Sequence, residues 1–351
     1  MNIQNRMDFY HVPGLSVTYF DDGAICWHKC FGVLESRTGN IVSENSVFHA
    51  CSISKMITAL CVLRLVQDKQ LSLYSDVNEY LTAWKIPDNE LLKGNKVTLA
   101  NLLSHQAGFY DIEGSFEPHR NGDPIPKPID ILQGTTIYHR DELQVKYAPE
   151  TDFAYSDAGY CIIAQIVHDV LGESISRLAK LYIFEPLGLK RTFFWEIGEE
   201  LQLLTNINIA DCASGHDSDG KIVEDKRACY PNIEGAALWT TPAELSAIAM
   251  DLLASYKNVG GTILNTEMAK LMMMPYGNSD FACFGMFYNS NEDYYFSQGW
   301  GVGMQCKMRL YPSAQKGVVV MTNSEPGMEQ DKALVGEVIN YVCRNGNVDF
   351  T

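Results

Sequence analysis

The 351-residue chain contains little positive charge. Lysine and arginine total 27 residues against 43 aspartates and glutamates, and the net charge is −16. Nucleic acids and anionic membrane surfaces select for clustered basic residues, so we expect neither as a partner. Long apolar runs are also absent: the longest, Met56 to Val66, is interrupted by Arg64. It falls short of the roughly 20 residues of a membrane-spanning helix, and no membrane span is predicted.

The first residues, MNIQNRMDFYHVPG, have no basic start followed by an apolar block and a cleavage site, so no signal peptide is predicted. The ten cysteines are irregularly spaced, and Cys61, Cys161 and Cys306 fall inside predicted helices or strands. Such cysteines are typical of buried packing residues in a reducing compartment rather than of a disulfide framework. We therefore expect a cytoplasmic protein, provided that no leader has been removed from this sequence.

Metal and cofactor signatures are missing as well. The chain has no H-E-x-x-H, no paired C-x-x-C, no phosphate-binding loop and no dinucleotide fingerprint. Cys26 and Cys30 lie four residues apart on a predicted strand, where packing explains them better than metal ligation does. We predict no metal and no cofactor.

The order of predicted elements indicates an α/β (α+β) protein. Two β-rich runs, GLSVTYF and AICWHKCFGVL, flank the turn Asp21-Asp22-Gly23 and predict a hairpin. Helical patterns fill the middle of the chain, and four short aromatic or β-branched runs occupy the last hundred residues before a terminal helix, 332–344. The simplest architecture is one antiparallel sheet built from both termini and flanked by helices, with a mostly helical insertion between them.

Chemistry is suggested by the stretch HACSISKMITALCVLRLVQ, which begins at His49. Ser52 and Lys55 are separated by one helical turn at the start of an almost wholly apolar helix, predicted from Ser52 to about Gln70. Desolvation there would lower the pKa of Lys55 toward that of a usable base, and a serine beside a base is an activated nucleophile. The alternative is a serine that caps the helix and a lysine that extends to solvent. These residues alone do not decide between the two.

Other stretches change the balance. FAYSDAGY places Tyr155 just before a second helix, which Ser156 or Asp157 caps and Gly172 ends. SQGWGVG places Gly299 in a strand, where glycine indicates a close backbone approach. Together with VFHACSISK, VTLANLLSHQAGF, IFEPLGL and GAALWTTPAELSAI, they resemble the serine β-lactamase and penicillin-binding-protein superfamily, in its class C β-lactamase, DD-peptidase and esterase branch. The resemblance covers the chain from about Val12 to the C-terminus.

The resemblance implies a fold, a domain division and a set of site residues. The α/β part would comprise about 1–75 plus 225–351, and the inserted helical part about 76–224. Ser52 would be the nucleophile, with Lys55 and Tyr155 as its catalytic partners. Asp157, Ser297, Gly299 and Trp300 would bind substrate, with the backbone N–H groups of Ser52 and Trp300 forming the oxyanion hole. His105 would be structural.

Two positions depart from the family pattern. The second motif normally ends in Asn, but here it ends in Asp157, and the third motif normally begins with a cationic residue or His, but here it begins with Ser297. Both changes remove donor or positive character from a site that in β-lactamases meets an anionic substrate. We therefore expect carboxylate-bearing β-lactams to be poor substrates and esters or amine-bearing peptides to be better ones.

The sequence thus predicts a serine hydrolase that cleaves an ester or amide of a small molecule or peptide through an acyl-enzyme. An esterase or D-amino-acid peptidase or amidase is preferred, and a β-lactamase or DD-carboxypeptidase is the alternative. A non-hydrolytic penicillin-binding or sensor module is the rival from another class. The oligomeric state is left open.

Overall fold

The computed structural model describes residues 1–201, 205–346 and 348–350. The strands within these ranges are β1 (Gly14–Asp21), β2 (Ala24–Gly32), β3 (Phe48–Cys51), β4 (Phe193–Phe194), β5 (Leu238–Thr240), β6 (Phe287–Asn289), β7 (Tyr294–Gly301), β8 (Met304–Tyr311) and β9 (Lys316–Thr322).

The main sheet has six antiparallel strands in the order β2-β1-β9-β8-β7-β6. The N-terminal hairpin lies beside the last strand, with Thr18 opposite His28 on one side and Val319 on the other. The predicted sheet built from both termini is therefore confirmed. The edge strand β6 pairs only with the first three residues of β7, 294–296. Among the described strands, none pairs with that side of β7 from Ser297 onward.

The helices of the described residues are α1 (Ile3–Phe9), α2 (Ser54–Gln67), α3 (Leu99–Leu103), α4 (Pro128–Leu132), α5 (Asp157–Leu171), α6 (Ile175–Ala179), α7 (Ile233–Ala236), α8 (Pro242–Lys257), α9 (Thr266–Met273) and α10 (Leu334–Asn345). A π-helical turn, Lys180–Phe184, continues α6, and 3₁₀ turns occur at Val77–Glu79, Glu90–Leu92, Ile209–Asp211, Pro312–Ala314 and Gln330–Lys332.

The helix ends follow local capping chemistry. At the start of α5, the Ser156 hydroxyl accepts a hydrogen bond from the Gly159 N–H at 3.1 Å, and Gly172 ends the helix in the left-handed conformation at φ 68°. Thr241 caps α8 through the N–H of Glu244. Both ends of α5 agree with the sequence prediction, because capping depends on residues close together in the chain.

Helix α2 is the central helix of the larger core. Every residue from Ser54 to Leu63 is buried, including Lys55. A helix that is apolar on all sides must be surrounded by other elements, and α2 contacts α6, α7 and α9. The buried helix predicted over 52–70 is confirmed, with ends two to three residues shorter.

Two hydrophobic cores lie on opposite faces of the main sheet. The smaller one packs α1 and α10 against β1 and β9, with Leu15, Val17 and Val320 at its centre. The larger one packs α2 and α8 on the other face and continues without a break into the helical part of the chain, to residues such as Leu132 and Tyr160. The boundaries at 75 and 225 remain a prediction.

No helix within the described ranges is both long and apolar enough to cross a bilayer. The same residues contain no group of three or more His, Cys, Asp or Glu side chains arranged to hold a metal ion. The ten cysteines all lie within the described ranges and are unpaired thiols.

Candidate active site

Ser52 occupies the tight connection between β3 and α2. The residue before it, Cys51, has φ 48°, a left-handed conformation that is costly for a side chain other than glycine. The Ser52 carbonyl accepts a hydrogen bond from the Lys55 N–H at 3.1 Å. The turn places Ser52, which is partly exposed, at the N-terminal end of a buried helix. Cys51 itself is buried, and burial raises the pKa of its thiol.

Lys55 lies one turn deeper and is only 2% exposed. Its Nζ donates to Asp157 Oδ1 at 2.5 Å and to the Gly235 carbonyl at 2.9 Å. The same nitrogen lies 4.9 Å from the ring centroid of Tyr155 and 5.5 Å from that of Tyr160. Two strong acceptors and two aromatic faces therefore surround the ammonium group.

The predicted direction of the Lys55 pKa shift is wrong. Burial does lower the pKa of Lys55, but the negative charge of Asp157 and the interactions with Tyr155 raise it by more. The net pKa is above its ordinary value, so Lys55 is an ammonium ion in the resting protein. The Asp157 carboxylate and Tyr155 together outweigh desolvation here.

Tyr155 immediately precedes α5, and its ring stacks on His105 with the centroids 4.4 Å apart. Although the side chain is 39% exposed, burial of the phenol is the largest influence and raises its pKa. The charge of Lys55 and hydrogen bonds with Lys55 and Ser52 act in the opposite direction. The three predicted catalytic side chains are therefore brought together, with Tyr155 as the neutral phenol.

Asp157 points inward, toward Lys55. Besides the ion pair, its Oδ1 accepts a hydrogen bond from Asn232 Nδ2 at 2.7 Å. Gly235 packs so closely that a Cβ there would lie 2.9 Å from the same oxygen and 3.3 Å from the lysine nitrogen. Asp157 Oδ1 thus accepts hydrogen bonds from two protein groups, Lys55 Nζ and Asn232 Nδ2. A contact between Asp157 and substrate stays a prediction.

His105 lies behind the second motif. Its Nδ1 accepts a hydrogen bond from the backbone N–H of Ser156 at 3.1 Å. Burial, and then the charge of Lys55, lower its pKa to about 3. A neutral ring that holds the backbone beside Tyr155 is consistent with the structural role expected for it.

Asp111 is a site residue that sequence reasoning missed. One of its oxygens accepts from the Ser156 hydroxyl at 3.0 Å and the Ala158 N–H at 3.1 Å, and the other accepts from the Asp157 N–H at 2.5 Å. Burial and the adjacent Asp157 charge raise the pKa of Asp111 to about 6, although these hydrogen bonds lower it. It lies 46 residues before Asp157 in an irregular segment, where a single aspartate carries no sequence signal.

The third motif lies on β7, beside the end of β3. A Cβ on Gly299 would lie 2.2 Å from the carbonyl oxygen of Ala50, so only glycine lets the two strands approach this closely. Its carbonyl accepts a hydrogen bond from Gln330 Nε2 at 3.1 Å. Ser297 is buried and Trp300 is 41% exposed. The predicted close approach at Gly299 is confirmed, whereas the substrate-binding roles of Ser297, Gly299 and Trp300 stay predictions.

The charge around Lys55 is net negative. Besides Asp157 and Asp111, the site contains the buried carboxyl group of Glu234. Burial raises the pKa of Glu234 to about 7, although the charge of Lys55 lowers it. One cation is therefore surrounded by three acids. A site of this kind disfavours an additional anion.

Comparisons with known proteins agree with this architecture. The family model described as "Beta-lactamase" matches residues 2–339. A penicillin-binding protein 4 of Amycolatopsis lactamdurans is 31% identical over 186 residues, which cover 52% of this chain but only 45% of that protein. A putative D-alanyl-D-alanine carboxypeptidase of Salmonella typhimurium is 25% identical over 326 residues, covering 87% of this chain and 72% of that protein.

Solved structures show the same fold. The D-amino acid amidase of Ochrobactrum anthropi SV3, in complex with D-phenylalanine, matches with a TM-score of 0.77 and 18% identity over 99% of both chains. The octameric penicillin-binding protein homologue of Pyrococcus abyssi matches with a TM-score of 0.76 and 21% identity, over 97% of this chain and 76% of the other.

Fold and site together define a protein of the β-lactamase and penicillin-binding type. The chain belongs to the Beta-lactamase family, and its relatives and the family model point to a serine hydrolase of that type.

Proposed function

We propose that the protein is a hydrolase that cleaves esters or amides through an acyl-enzyme on Ser52, with Lys55 and Tyr155 as its catalytic partners. The observation that carries the proposal is the convergence of the three side chains: the Lys55 nitrogen lies 4.9 Å from the Tyr155 ring centroid, and both Lys55 and Ser52 lower the pKa of the Tyr155 phenol. A weak nucleophile in contact with a proton-transfer group, itself oriented by a third group, is the general arrangement for acyl transfer.

In the proposed mechanism each group has one role. Ser52 Oγ attacks the acyl carbon and forms the acyl–oxygen bond, and the bond to the leaving group breaks. The Ser52 proton passes through the Tyr155 hydroxyl to the leaving group, and the Lys55 ammonium stabilises the negative charge that develops on the phenol oxygen. Water then attacks the acyl carbon and the acyl–Oγ bond breaks, while a proton of this water passes through the Tyr155 hydroxyl to Ser52 Oγ. The pair titrates as a unit, so neither residue alone is the base.

The charge distribution supports a preference for neutral or amine-bearing substrates. Asp157 already neutralises Lys55, and Ser297 brings no charge to the third motif. Asp111 lies directly behind Asp157 and adds further negative potential. A substrate carboxylate would therefore meet net repulsion. An ester, or a D-amino-acid amide like that implied by the name of one structural neighbour, fits better.

The test is chemical labelling followed by turnover. Protein is incubated with a fluorophosphonate or a penicillin, and the adduct is located by mass spectrometry, with Ser52→Ala as the control. An adduct on Ser52, together with faster turnover of a neutral acyl ester or a D-aminoacyl amide than of nitrocefin, supports the proposal. Faster nitrocefin turnover would favour the β-lactamase alternative, and a long-lived adduct without turnover the sensor. Absence of any adduct on Ser52 would refute the mechanism.

A further inference from the structure

A separate cavity of about 530 Å³ lies in the helical part of the chain. It is enclosed by the middle of α5, the start of α6 and the segments 125–129, 196–197 and 231–234. Its apolar lining includes Ile125, Ile129, Ala164, Ile175, Ile197 and Ile233. A cavity of this size and composition is typical of a small-molecule site.

The charged groups of this cavity are mainly acidic. Asp169, Glu173, Glu196 and Glu234 line it, against one lysine, Lys127. Two of the four acids have strong partners: Asp169 accepts from the Thr82 and Ala83 N–H groups, and Glu196 accepts from the Ser176 hydroxyl.

Glu234 differs from the other acids because it is only 5% exposed. Within the described part of the chain, it forms no ion pair with a lysine, arginine or histidine, and its own partners are the neutral Cys161 thiol and its backbone N–H. Lys55 influences it from a distance, but that ammonium is already paired with Asp157. A carboxyl group held in an apolar environment without a direct cationic partner is stabilised strongly when a cation binds to it.

We propose that this cavity binds a small apolar primary amine, with the ammonium group against Glu234 and the apolar body against the isoleucine side chains. The ligand class follows from charge complementarity with Glu234 and from the apolar lining.

The cavity is distinct from the cleft at Ser52. Ala164 lies two turns along α5 from Asp157, a rise of roughly 10 Å. The segment 231–235 forms the wall between the two sites: Glu234 lines the cavity, while Asn232 and the Gly235 carbonyl contact Asp157 and Lys55. The inference does not depend on the hydrolase activity, since binding is measured without turnover.

The experiment compares 4-phenylbutylamine with its neutral counterpart 4-phenylbutanol by isothermal titration calorimetry at pH 8 on the full chain. We expect one amine per chain, and roughly tenfold or weaker binding of the alcohol, because a charge-assisted hydrogen bond is lost. Glu234→Gln should weaken amine binding by a similar factor. Glu142→Gln, which removes an exposed acid elsewhere, should leave it unchanged.

Cavity-filling variants locate the bound amine. Ala164→Phe and, independently, Ile129→Trp place a ring in the cavity, and both should abolish binding while the circular dichroism spectrum stays that of the wild type. Two variants are used so that loss of fold in one does not remove the test. No saturable amine binding, equal binding of the alcohol, or amine binding unaffected by a folded cavity-filling variant would overturn the proposal.

Discussion

Two buried lysines, Lys55 in the cleft and Lys307 on β8, have nearly the same immediate geometry. They are 2% and 1% exposed. Each nitrogen lies 2.5 Å from one carboxylate oxygen, of Asp157 and Asp331 respectively. Each nitrogen also lies over an aromatic ring: Lys55 Nζ is 4.9 Å from the Tyr155 ring centroid, and Lys307 Nζ is 4.8 Å from the Phe296 ring centroid.

Their pKa values nevertheless shift in opposite directions. The pKa of Lys55 is raised, because the charge of Asp157 and the interactions with Tyr155 together overcome burial. The pKa of Lys307 is lowered, because burial outweighs Asp331 and the neighbouring Arg309 adds repulsion. The partner carboxylates differ too: the Asp157 side chain is 23% exposed and that of Asp331 is 60% exposed. Burial alone therefore does not determine the charge state of an amine; the number and burial of its acceptors do.

The largest expected effect is on catalysis. Lys55→Met should slow acylation of Ser52 by roughly 10²–10³-fold, the range for loss of one group that stabilises developing negative charge. Lys307→Met, the matched change in the other lysine, should leave acylation at the wild-type rate. Stopped-flow measurement with a chromogenic ester checks both variants, after thermal melts have shown that each is folded. Equal losses of acylation rate in the two variants would mean that Lys55 contributes through its burial and not through its position beside Ser52.

Asp157→Asn tests the carboxylate that sets the charge of Lys55. Without this charge, burial should dominate and the pKa of Lys55 should fall. One negative charge also leaves the cleft, so acylation by a carboxylate-bearing cephalosporin, relative to a neutral ester, should rise by roughly tenfold.

The control for that change is Asp331→Asn, which removes the corresponding partner of Lys307. It should leave the cephalosporin-to-ester ratio of the wild type. An unchanged ratio in Asp157→Asn would show that Asp157 does not control substrate charge preference.

Asp111 gives a pH-dependent prediction. Its folded-state pKa of about 6 is above the ordinary 3.8, so between these pH values the folded protein binds more protons than the unfolded chain. The contribution of Asp111 to stability therefore falls as the pH rises from about 4 to about 6 and is constant above. In the wild type, ionisation of Asp111 should lower the free energy of unfolding by on the order of 1–3 kcal/mol between pH 4 and pH 6. The Asp111→Asn variant should not show this decrease.

Urea unfolding at pH 4.5 and pH 6.5 measures this difference. Glu142→Gln, which changes an exposed carboxylate, should keep the wild-type dependence. If Asp111→Asn keeps it as well, the carboxyl group of Asp111 does not titrate in this window.

The smallest effect concerns Lys307 at alkaline pH. Its lowered folded-state pKa means that the folded protein loses this proton before the unfolded chain does. The contribution of Lys307 to stability should therefore rise as the pH increases from the folded pKa toward the ordinary 10.5. Relative to Lys307→Met, the wild type should gain stability between pH 8 and pH 10. Lys55 has a raised pKa, so the wild type should gain no stability over this pH range relative to Lys55→Met. A gain relative to both variants would contradict the opposite pKa shifts of the two lysines.

Most of the local structure could be predicted from the sequence. The hairpin at Asp22, the cap at Ser156, the end of α5 at Gly172 and the buried character of α2 all depend on residues close together in the chain. The tight packing at Gly299 was also signalled, because glycine weakens a strand unless a neighbouring backbone approaches it.

The surroundings of Lys55 could not be predicted in the same way. Asp111, Asn232 and Glu234 carry no motif, and they reach the site from two distant parts of the chain, position 111 and the segment 232–235, which also supplies the Gly235 carbonyl. The pairing of Tyr155 with Lys55 was expected only from a family resemblance. Without these positions, desolvation was the only visible influence on Lys55, and it gave the wrong direction for the pKa.

The amino-acid sequence by itself predicted which residues could react, where helix α5 begins and ends, and that both termini build one sheet. Only the tertiary structure decided the direction of the pKa shift of Lys55, the amine at the centre of the candidate active site. The reason is physical: desolvation follows from burial, which an apolar helix already predicts, whereas Coulomb energy depends on distances of a few ångströms between residues a hundred positions apart.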